Sequence, residues 1–363
     1  MVVPDIAFVN VSLNQRVIDM YGYPYYILDK GEAEGDNLPI RQEQAMSASI
    51  FDLPRFKDPE SARQYLEGLR WPTGPVCPHC GGADRQSKLQ GKAHRPGVYE
   101  CNHCHQQYTV TVRTVFERSK IPLHKWLMAA TLLAASKKGM SSHQLHRMLG
   151  VTYKTAWFMT HRIREAMKSE GGMLGGGGKI VEADETYWGT TDRARERGRK
   201  RRGADKHKIL ALVERGGAAR SFHVARVDGK TLKPILKAQI AADTHLMTDS
   251  ASYYRNMNRG AFLSHEMVNH LAGEYAKKSR TVKGASAHTN TVESFFGLFK
   301  RGLIGTYHHV SEAHLQRYCE EFSFRYSLRK TTDAERADAA LKRIAGKRLT
   351  YRRPDADKES LAQ

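Results

Sequence analysis

The sequence has few cysteines, no long apolar run and no recognisable export signal. Four of its five cysteines form two C-x-x-C pairs, which favours metal binding in a reducing compartment and argues against a disulfide-stapled secreted fold. The longest apolar stretch, residues 127–135, is far too short to cross a bilayer. The N-terminus lacks the basic segment, apolar core and cleavage site of a secretory signal. We therefore expect a soluble, cytoplasmic protein without a membrane partner.

Acidic side chains are also scarce relative to basic ones. The chain holds 58 Lys and Arg against 38 Asp and Glu, a net charge of +20 that is spread over much of the sequence. This excess favours a polyanionic partner, DNA or RNA. A basic membrane-surface protein is the competing interpretation, but no amphipathic basic helix stands out. At 363 residues the chain exceeds the size that one core usually supports, so we expect two or three domains.

The first part of the chain offers little chemistry. Residues 1–50 show no sustained periodicity and receive no functional assignment. One interpretation is that they are an extension and that translation naturally starts at Met46, which N-terminal sequencing of the native protein would test. Residues 51–72 are expected to form a helical lead-in, because DPESARQYLEGLRW has an Asp cap, a Pro at the first helical position and one apolar face.

Two C-x-x-C pairs, CPHC and CNHC, are separated by twenty residues rich in Gly and polar side chains. This spacing is typical of a zinc ribbon, in which each pair supplies two thiolates to one tetrahedral ion. We place the ribbon at residues 73–115, with one structural Zn²⁺ that stabilises a module with little core of its own. A neighbouring histidine could replace one thiolate, although four thiols suffice. The predicted ligands are Cys77, Cys80, Cys101 and Cys104, and the alternatives are His79, His103 and His105.

Residues 120–170 are predicted to form three helices with the pattern of a helix-turn-helix. Serines cap the second helix, a turn at Gly150 follows, and Thr152 caps the third. The third helix would enter the major groove of DNA. The alternative is an ordinary helical packing unit with a basic surface; the adjacent ribbon and the net charge favour DNA binding. The predicted contacts are Tyr153, Lys154 and Thr155 near the bases, with Arg162 and Arg164 further along.

The Gly-rich stretch at residues 171–178 is predicted to be a flexible linker and a domain boundary. Beyond it, residues 179–330 show strands, then a helix, a strand and more helices, which predicts an α/β domain with a sheet covered by helices. A basic insertion at residues 191–208 is either a solvated, disordered loop or a source of phosphate contacts. Residues 331–363 are expected to be a basic tail. The contacts expected from the insertion are Arg199, Lys200, Arg201 and Arg202.

Acidic residues on separate segments could converge in that domain. Asp184 and Asp249 each follow an apolar run that reads as a strand, and α/β sheets usually place ligands at the carboxyl ends of strands. Both Asp184 and Glu185 are candidates, since spacing does not choose between them, and Asp249 could instead cap a helix. Carboxylates brought together repel one another unless a cation lies between them, and oxygen ligands suit Mg²⁺ or Mn²⁺. The alternative is a set of solvated acids.

A predicted amphipathic helix carries a third acid, Glu293. Beside its apolar stripe lies a polar face on which Asn290, Glu293 and Lys300 recur at helical spacing. Such a face could offer a carboxylate to a metal ion and an ammonium group to a phosphate. Alternatively, these side chains are simply surface residues next to a core stripe.

Several motifs occur in order: the CPHC and CNHC pairs, VEADETYWG, LMTDSASYY, and a long motif that begins HTNTVESFFGLFKRG. Together they resemble bacterial insertion-sequence transposases of the zinc-ribbon, ISXO-type DDE family. The resemblance implies a multidomain α/β protein with an RNase H-like catalytic domain preceded by a zinc ribbon and a helix-turn-helix. It also implies Asp184, Asp249 and Glu293 as catalytic metal ligands, with Asn290 as the alternative third ligand. Lys300 matches the basic residue that follows the Glu in many DDE transposases.

From these observations we predict a bacterial transposase that binds terminal inverted repeats and target DNA as a dimer or higher oligomer, and is nucleoid-associated when bound. It would use two Mg²⁺ or Mn²⁺ ions for in-line displacement at phosphorus. Arg301, next to Lys300, is a further predicted DNA contact. One alternative is a metal-dependent nuclease that cuts without joining. The other is a zinc-ribbon and helix-turn-helix DNA-binding protein without catalysis.

Overall fold

The chain divides near Ser49 into two units. A computed structural model describes residues 16–18, 24–26, 49–169, 171–189, 206–255 and 260–350. The described part of the first unit is an antiparallel strand pair, β1 (Arg16–Ile18) and β2 (Pro24–Tyr26). The second unit starts at Ile50. Within the described residues, no helix is both long and apolar enough to span a membrane.

Short helices and a small antiparallel sheet open the second unit. The helix predicted after Asp58 is present: the Asp58 carboxylate accepts a hydrogen bond from the Ser61 amide at 2.6 Å, and Pro59 occupies the first turn. Its apolar face includes Leu66, which is fully buried. The elements are α1 (Pro54–Lys57), α2 (Pro59–Arg70), β3 (Gln86–Lys88), β4 (Tyr99–Cys101) and β5 (Gln107–Tyr108).

Three helices follow, with caps at the positions that the sequence predicts. Ser141 Oγ accepts from the Gln144 amide at 3.1 Å, and Thr152 Oγ1 accepts from the Thr155 amide at 3.2 Å. Between these helices Gly150 has a φ of 59°, the left-handed conformation that glycine adopts without steric cost. The helices are α3 (Leu123–Ala135), α4 (Ser142–Leu149) and α5 (Tyr153–Met167).

The remainder of the unit alternates strands with helices. Its elements are β6 (Ile180–Trp188), β7 (His207–Glu214), β8 (Ala219–Val224), α6 (Gly229–Gln239), β9 (His245–Asp249), β10 (Ser264–Val268), β11 (Ala276–Lys278), β12 (Ser286–His288), α7 (Asn290–Gly302), α8 (Glu312–Ser327) and α9 (Asp333–Lys342). Five strands form one sheet in the order β10-β9-β6-β7-β8. The β6, β7 and β8 strands pair antiparallel, whereas β9 runs parallel to β6 and β10 parallel to β9.

Helices cover both faces of this sheet. Alternate residues of β7 point to opposite faces, so Ile209 and Ala211 pack with the apolar stripe of α7 and with α8. Leu210 and Leu212 point the other way and pack with Leu232 of α6 and its neighbours. The predicted α/β architecture, a mixed sheet flanked by helices, is therefore confirmed.

The Gly-rich stretch is bonded to the sheet domain, so the predicted flexible linker is wrong. Leu174 is only 3% exposed and forms a parallel bridge with Ile240. The Gly176 amide donates to Thr244 Oγ1 at 2.8 Å. Residues 175–178 all have positive φ, a conformation that favours glycine. These glycines therefore serve the geometry of a fixed turn.

The predicted basic tail is also wrong over its first part, because α9 packs into the core that α2 and α3 form. Thr332 and Glu335 form a capping box at its start. Ala337 and Leu341 are buried with residues of α2 and α3, and Asp338 accepts a hydrogen bond from Tyr65 of α2 at 2.5 Å. The small apolar residues at helical spacing outweigh the basic composition. Residues 351–363 lie outside the described residues.

Candidate zinc centre and acidic site

The four thiols of the ribbon converge on one point. All four Sγ atoms lie within 4.8 Å of one another. Cys77 and Cys104 are 3.7 Å apart at sulfur, and Cys80 and Cys101 are 3.5 Å apart. A tetrahedral zinc ion with Zn–S bonds of about 2.3 Å places its sulfur ligands roughly 3.8 Å apart. The cluster therefore fits one zinc ion.

The histidines beside these thiols are placed differently. His103 Nε2 lies 2.8 Å from a carboxylate oxygen of Asp84. His105 is exposed and has a φ of 54°, and neither histidine belongs to the four-thiol cluster. A Cys₄ ligand set thus needs no histidine, in agreement with the first of the two alternatives from the sequence.

Two acidic residues lie on adjacent parallel strands of the central sheet. The parallel register pairs Glu182 of β6 with Met247 of β9, and extending it by two residues places Asp184 opposite Asp249. Asp249 is the last residue of β9, whereas Asp184 is the fifth of the nine residues of β6, so the strand end expected for Asp184 is wrong. The two carboxylates lie side by side where β9 ends. Ordinary strand pairing therefore brings together two residues that are far apart in the sequence.

Strand alternation separates Asp184 from Glu185. Asp184 pairs with Ala211, which packs against α7 and α8, so Asp184 shares the face of α7. Glu185 points to the opposite face, where it accepts hydrogen bonds from Tyr254 and, at 2.9 Å, from Tyr253. The structure therefore places Asp184, rather than Glu185, on the face that carries Glu293.

Burial and like charge both disfavour ionisation at this site. Burial and the charges of Glu185, Asp249 and Glu293 raise the pKa of Asp184 to about 8, although the Glu185 amide donates to its carboxylate at 2.8 Å. Burial also raises the pKa of Glu185 to about 7, against the effect of its two tyrosine partners. Like charges that cannot ionise together are a common signature of a cation site.

A fourth acid, Glu182, fixes helix α7 to the sheet. Its side chain is completely buried and accepts hydrogen bonds from the Thr291 amide at 2.7 Å and the Val292 amide at 3.0 Å. Arg215 Nε donates to it at 2.6 Å. These bonds satisfy free amides of the first turn of α7. Because Glu182 and Asp184 lie on the same strand, this tether places the start of α7 beside the acidic site.

Glu293 lies in that first turn and is half-exposed. Its Oε1 accepts a hydrogen bond from Thr289 Oγ1 at 2.9 Å and lies 3.8 Å from His270 Nδ1. Asn290, one turn earlier, is exposed, so both candidates for a third ligand are accessible at the same helix end. Lys300, seven residues after Glu293, is partly buried on the same helix.

The donor set suits a hard divalent ion. Asp184, Asp249 and Glu293 offer only carboxylate oxygens, which Mg²⁺ and Mn²⁺ prefer. Among the described residues, however, these three carboxylates do not form a group with all oxygens within 4.8 Å. Because Mg²⁺ usually retains several waters, water ligands can complete the coordination of an ion held by carboxylates at this spacing.

The residues predicted to contact DNA differ in their exposure. Tyr153 is 44% exposed, Lys154 is exposed and Thr155 is partly exposed at the start of α5. Arg301 is exposed at the end of α7. The residues predicted in the basic insertion, Arg199, Lys200, Arg201 and Arg202, lie outside the described residues.

The predicted DNA contacts of Arg162 and Arg164 are wrong, because both side chains are buried. Arg164 is 1% exposed and donates to Glu321 Oε2 of α8 at 2.7 Å. Arg162 donates to the Glu117 carbonyl at 3.1 Å and stacks over Phe158. Helical spacing alone did not show that this end of α5 packs against α8.

Comparisons with known proteins agree with this arrangement. Residues 57–107 match a family described as the transposase zinc-ribbon domain, and residues 173–327 match the ISXO2-like transposase domain. The chain belongs to the zinc-ribbon, ISXO2-like transposases. An uncharacterized protein in the transposable element ISH50 of Halobacterium salinarum is 27% identical over 290 residues, which cover 76% of this chain and 93% of that protein.

Membership of this family agrees with the two centres. The zinc-ribbon match spans all four clustered cysteines. The ISXO2-like match spans Asp184, Asp249 and Glu293, together with the sheet and helix that position them. It begins at residue 173, inside the Gly-rich turn, which agrees with the bonding of that turn to the sheet domain.

Sequence reasoning missed the residues that support the acids. Glu182 carries no local sequence signal that separates it from a surface acid, because its burial depends on the amides of α7. Tyr253 and Tyr254, which donate hydrogen bonds to Glu185, lie four and five residues after Asp249 in the LMTDSASYY motif. Two aromatic hydroxyls so close to a strand-end carboxylate were the available signal, because a buried tyrosine hydroxyl usually needs a partner.

Proposed function

We propose that this transposase binds the terminal inverted repeats of its insertion sequence and catalyses metal-dependent DNA strand cleavage and strand transfer. The observation that carries the proposal is the juxtaposition of Asp184, Asp249 and Glu293 on one face of the sheet. The antiparallel β6–β8 meander with two further parallel strands supports an RNase H-like assignment of the domain. In such a scaffold, Asp184 would come from the middle of β6, Asp249 from the end of β9 and Glu293 from the helix α7 that packs on them.

Asp184, Asp249 and Glu293 would hold two Mg²⁺ or Mn²⁺ ions, which supply charge that activates water or a DNA 3′-hydroxyl and stabilises the leaving 3′-oxygen. The residues of the chain then have separate tasks. Glu182 positions the first turn of α7, and Lys300, two turns along that helix, would contact a phosphate. No covalent protein–DNA intermediate is required, because the nucleophile is water or DNA.

Binding to the element ends is assigned to helices α4 and α5. Two capped helices joined by a glycine turn are typical of a helix-turn-helix. The exposed Tyr153 and Lys154 at the start of α5 suit a recognition helix. Arg164 acts elsewhere, by joining α5 to Glu321 of α8. This ion pair links the DNA-binding helix to the catalytic domain. Joining two element ends in one reaction implies a dimer or a higher oligomer on DNA.

Asp249→Asn tests the catalytic assignment, because it removes one charge with almost no change in volume. We expect end binding to be retained while strand cleavage, and joining of pre-cut ends to a target plasmid with Mg²⁺, fall roughly 10³-fold or more. Asp333→Asn is the matched control, since Asp333 is exposed at the start of α9 and pairs only locally with Arg336.

Each assay result discriminates between functions. Unchanged joining by Asp249→Asn would contradict the catalytic role of this carboxylate. A wild-type protein that binds and cuts ends but never joins pre-cut ends would instead be a nuclease. A protein that binds ends and shows neither reaction in Mg²⁺ or Mn²⁺ would be a DNA-binding protein without catalysis.

A further inference from the structure

A second group of side chains that can bind a metal ion lies at the start of β7. We propose that His207, His223 and Glu312 form a binding site for a divalent transition metal ion, most suitably Zn²⁺. One ligand atom from each of the three side chains lies within 4.8 Å of the others. His207 Nδ1 is 3.8 Å from Glu312 Oε2, and the two imidazole rings have centroids 5.5 Å apart.

Sheet register explains why the two histidines meet. Ile209 pairs with His223 across β7 and β8, and His207 lies two residues before Ile209, so both imidazoles point to the same face. That face is the one covered by α7 and α8. Glu312 is the first residue of α8 and approaches the histidines from above the sheet.

The start of α8 is held in place independently of these ligands. Gln316, one turn after Glu312, accepts a hydrogen bond from the His223 amide at 2.7 Å and donates to the Ser221 carbonyl at 3.2 Å. These two bonds clamp the first turns of α8 to β8. Glu312 is therefore presented to the histidines by a fixed backbone, which lowers the entropic cost of assembling a metal site.

The separation of the donors suits an intervening ion better than a direct bond. A distance of 3.8 Å between His207 Nδ1 and Glu312 Oε2 is too long for a hydrogen bond. Two ligands each about 2.0–2.2 Å from a tetrahedral zinc ion lie roughly 3.4 Å apart, which small side-chain rotations would reach.

Two imidazoles and one carboxylate are a donor set typical of zinc, with a fourth position for water or another ligand. The site would tie β7 and β8 to α8. It lies where the connection from β6 returns to the sheet, since His207 pairs with Trp188. Along β6 this point is about 13 Å from Asp184, four residues at the usual strand rise. We therefore assign the ion a structural role at the start of β7, where the basic stretch ends.

Metal content of the full-length protein tests the site without any DNA reaction. After dialysis against buffered Zn²⁺, we expect elemental analysis to give about two zinc ions per chain, one in the Cys₄ cluster and one here. His223→Ala and Glu312→Gln should each lower the affinity for this second zinc ion by about tenfold or more. His309→Ala is the control, since His309 is exposed just before α8, and it should retain both equivalents.

Cobalt substitution distinguishes the two centres, because only the ribbon gives an intense thiolate-to-metal charge-transfer band. The variants should keep that band and lose the remaining cobalt. The proposal would be overturned if the wild-type protein held one metal ion per chain with the thiolate site filled. It would also be overturned if the Glu312→Gln variant still bound two metal ions per chain. The glutamate variant decides the matter if His223→Ala does not fold, because Glu312 is 46% exposed and its amide keeps the same shape.

Discussion

The zinc ribbon and the acidic site are both candidate metal centres, but they are built in opposite ways. The ribbon gathers four donors between Cys77 and Cys104, and its sulfur atoms already lie within 4.8 Å of one another. The acidic site gathers donors from Asp184 to Glu293, on two strands and a helix, and its carboxylates stay further apart. In the first centre the ligands shape the local chain, whereas in the second the fold positions the ligands.

The difference follows from the length of the strands that carry each centre. The ribbon strands are two or three residues long and form few ladder hydrogen bonds, so a bound ion would add to the stability that Tyr99 and Tyr108 gain from the core they share with α2. The sheet that carries Asp184 is packed on both faces and has no such need. It can hold mutually repelling carboxylates because their cost is offset elsewhere in the domain.

Among the variants that test this comparison, the one that removes a thiolate should lose the most stability. Cys101 is fully buried in the ribbon, and Cys101→Ser should lose the bound zinc and destabilise the ribbon by several kcal/mol, because metal binding and folding are coupled there. Zinc content and thermal unfolding measure both effects. The control is His105→Ala, which should keep the zinc; equal loss in this variant would show that the ligand set is not Cys₄.

Breaking the tether of α7 should have the next largest effect. Glu182→Gln keeps the shape but replaces an acceptor oxygen by an NH₂ group that faces the donors Arg215 and Thr291. A buried ion pair that loses one charge typically costs about 3–5 kcal/mol, and urea unfolding would measure the loss.

The matched control for the tether is Glu293→Gln, on the same helix but half-exposed. Its stability should stay within about 0.5 kcal/mol of the wild type, as for most surface changes. Equal stability of the Glu182→Gln and wild-type proteins would show that α7 is held to the sheet by its apolar stripe alone.

The same contrast explains what the sequence could predict. Cysteine spacing, helix caps and strand ends are local signals, and they located the ribbon, the helices α4 and α5 and the candidate acids. Arg164 was misassigned because its partner Glu321 is 157 positions away. Glu182 could not be distinguished from a surface acid because its partners lie on α7. The choice between Asp184 and Glu185 needed the pairing of Asp184 with Ala211, which depends on the register of β7.

The smallest predicted effect concerns the acidic site itself. Burial and neighbouring carboxylates raise the pKa of Asp184, and a cation would offset both effects. Mg²⁺ or Mn²⁺ should therefore stabilise the native protein by about 1.4 kcal/mol at roughly ten times the Kd. Asp184→Asn should remove most of this gain, which a thermal shift titration would show. Glu185→Gln is the control on the same strand. Since Glu185 is held by two tyrosines on the opposite face, this variant should keep the gain. A loss confined to Glu185→Gln would reverse the assignment of the two acids and would place the ion on the α6 side of the sheet, away from Glu293.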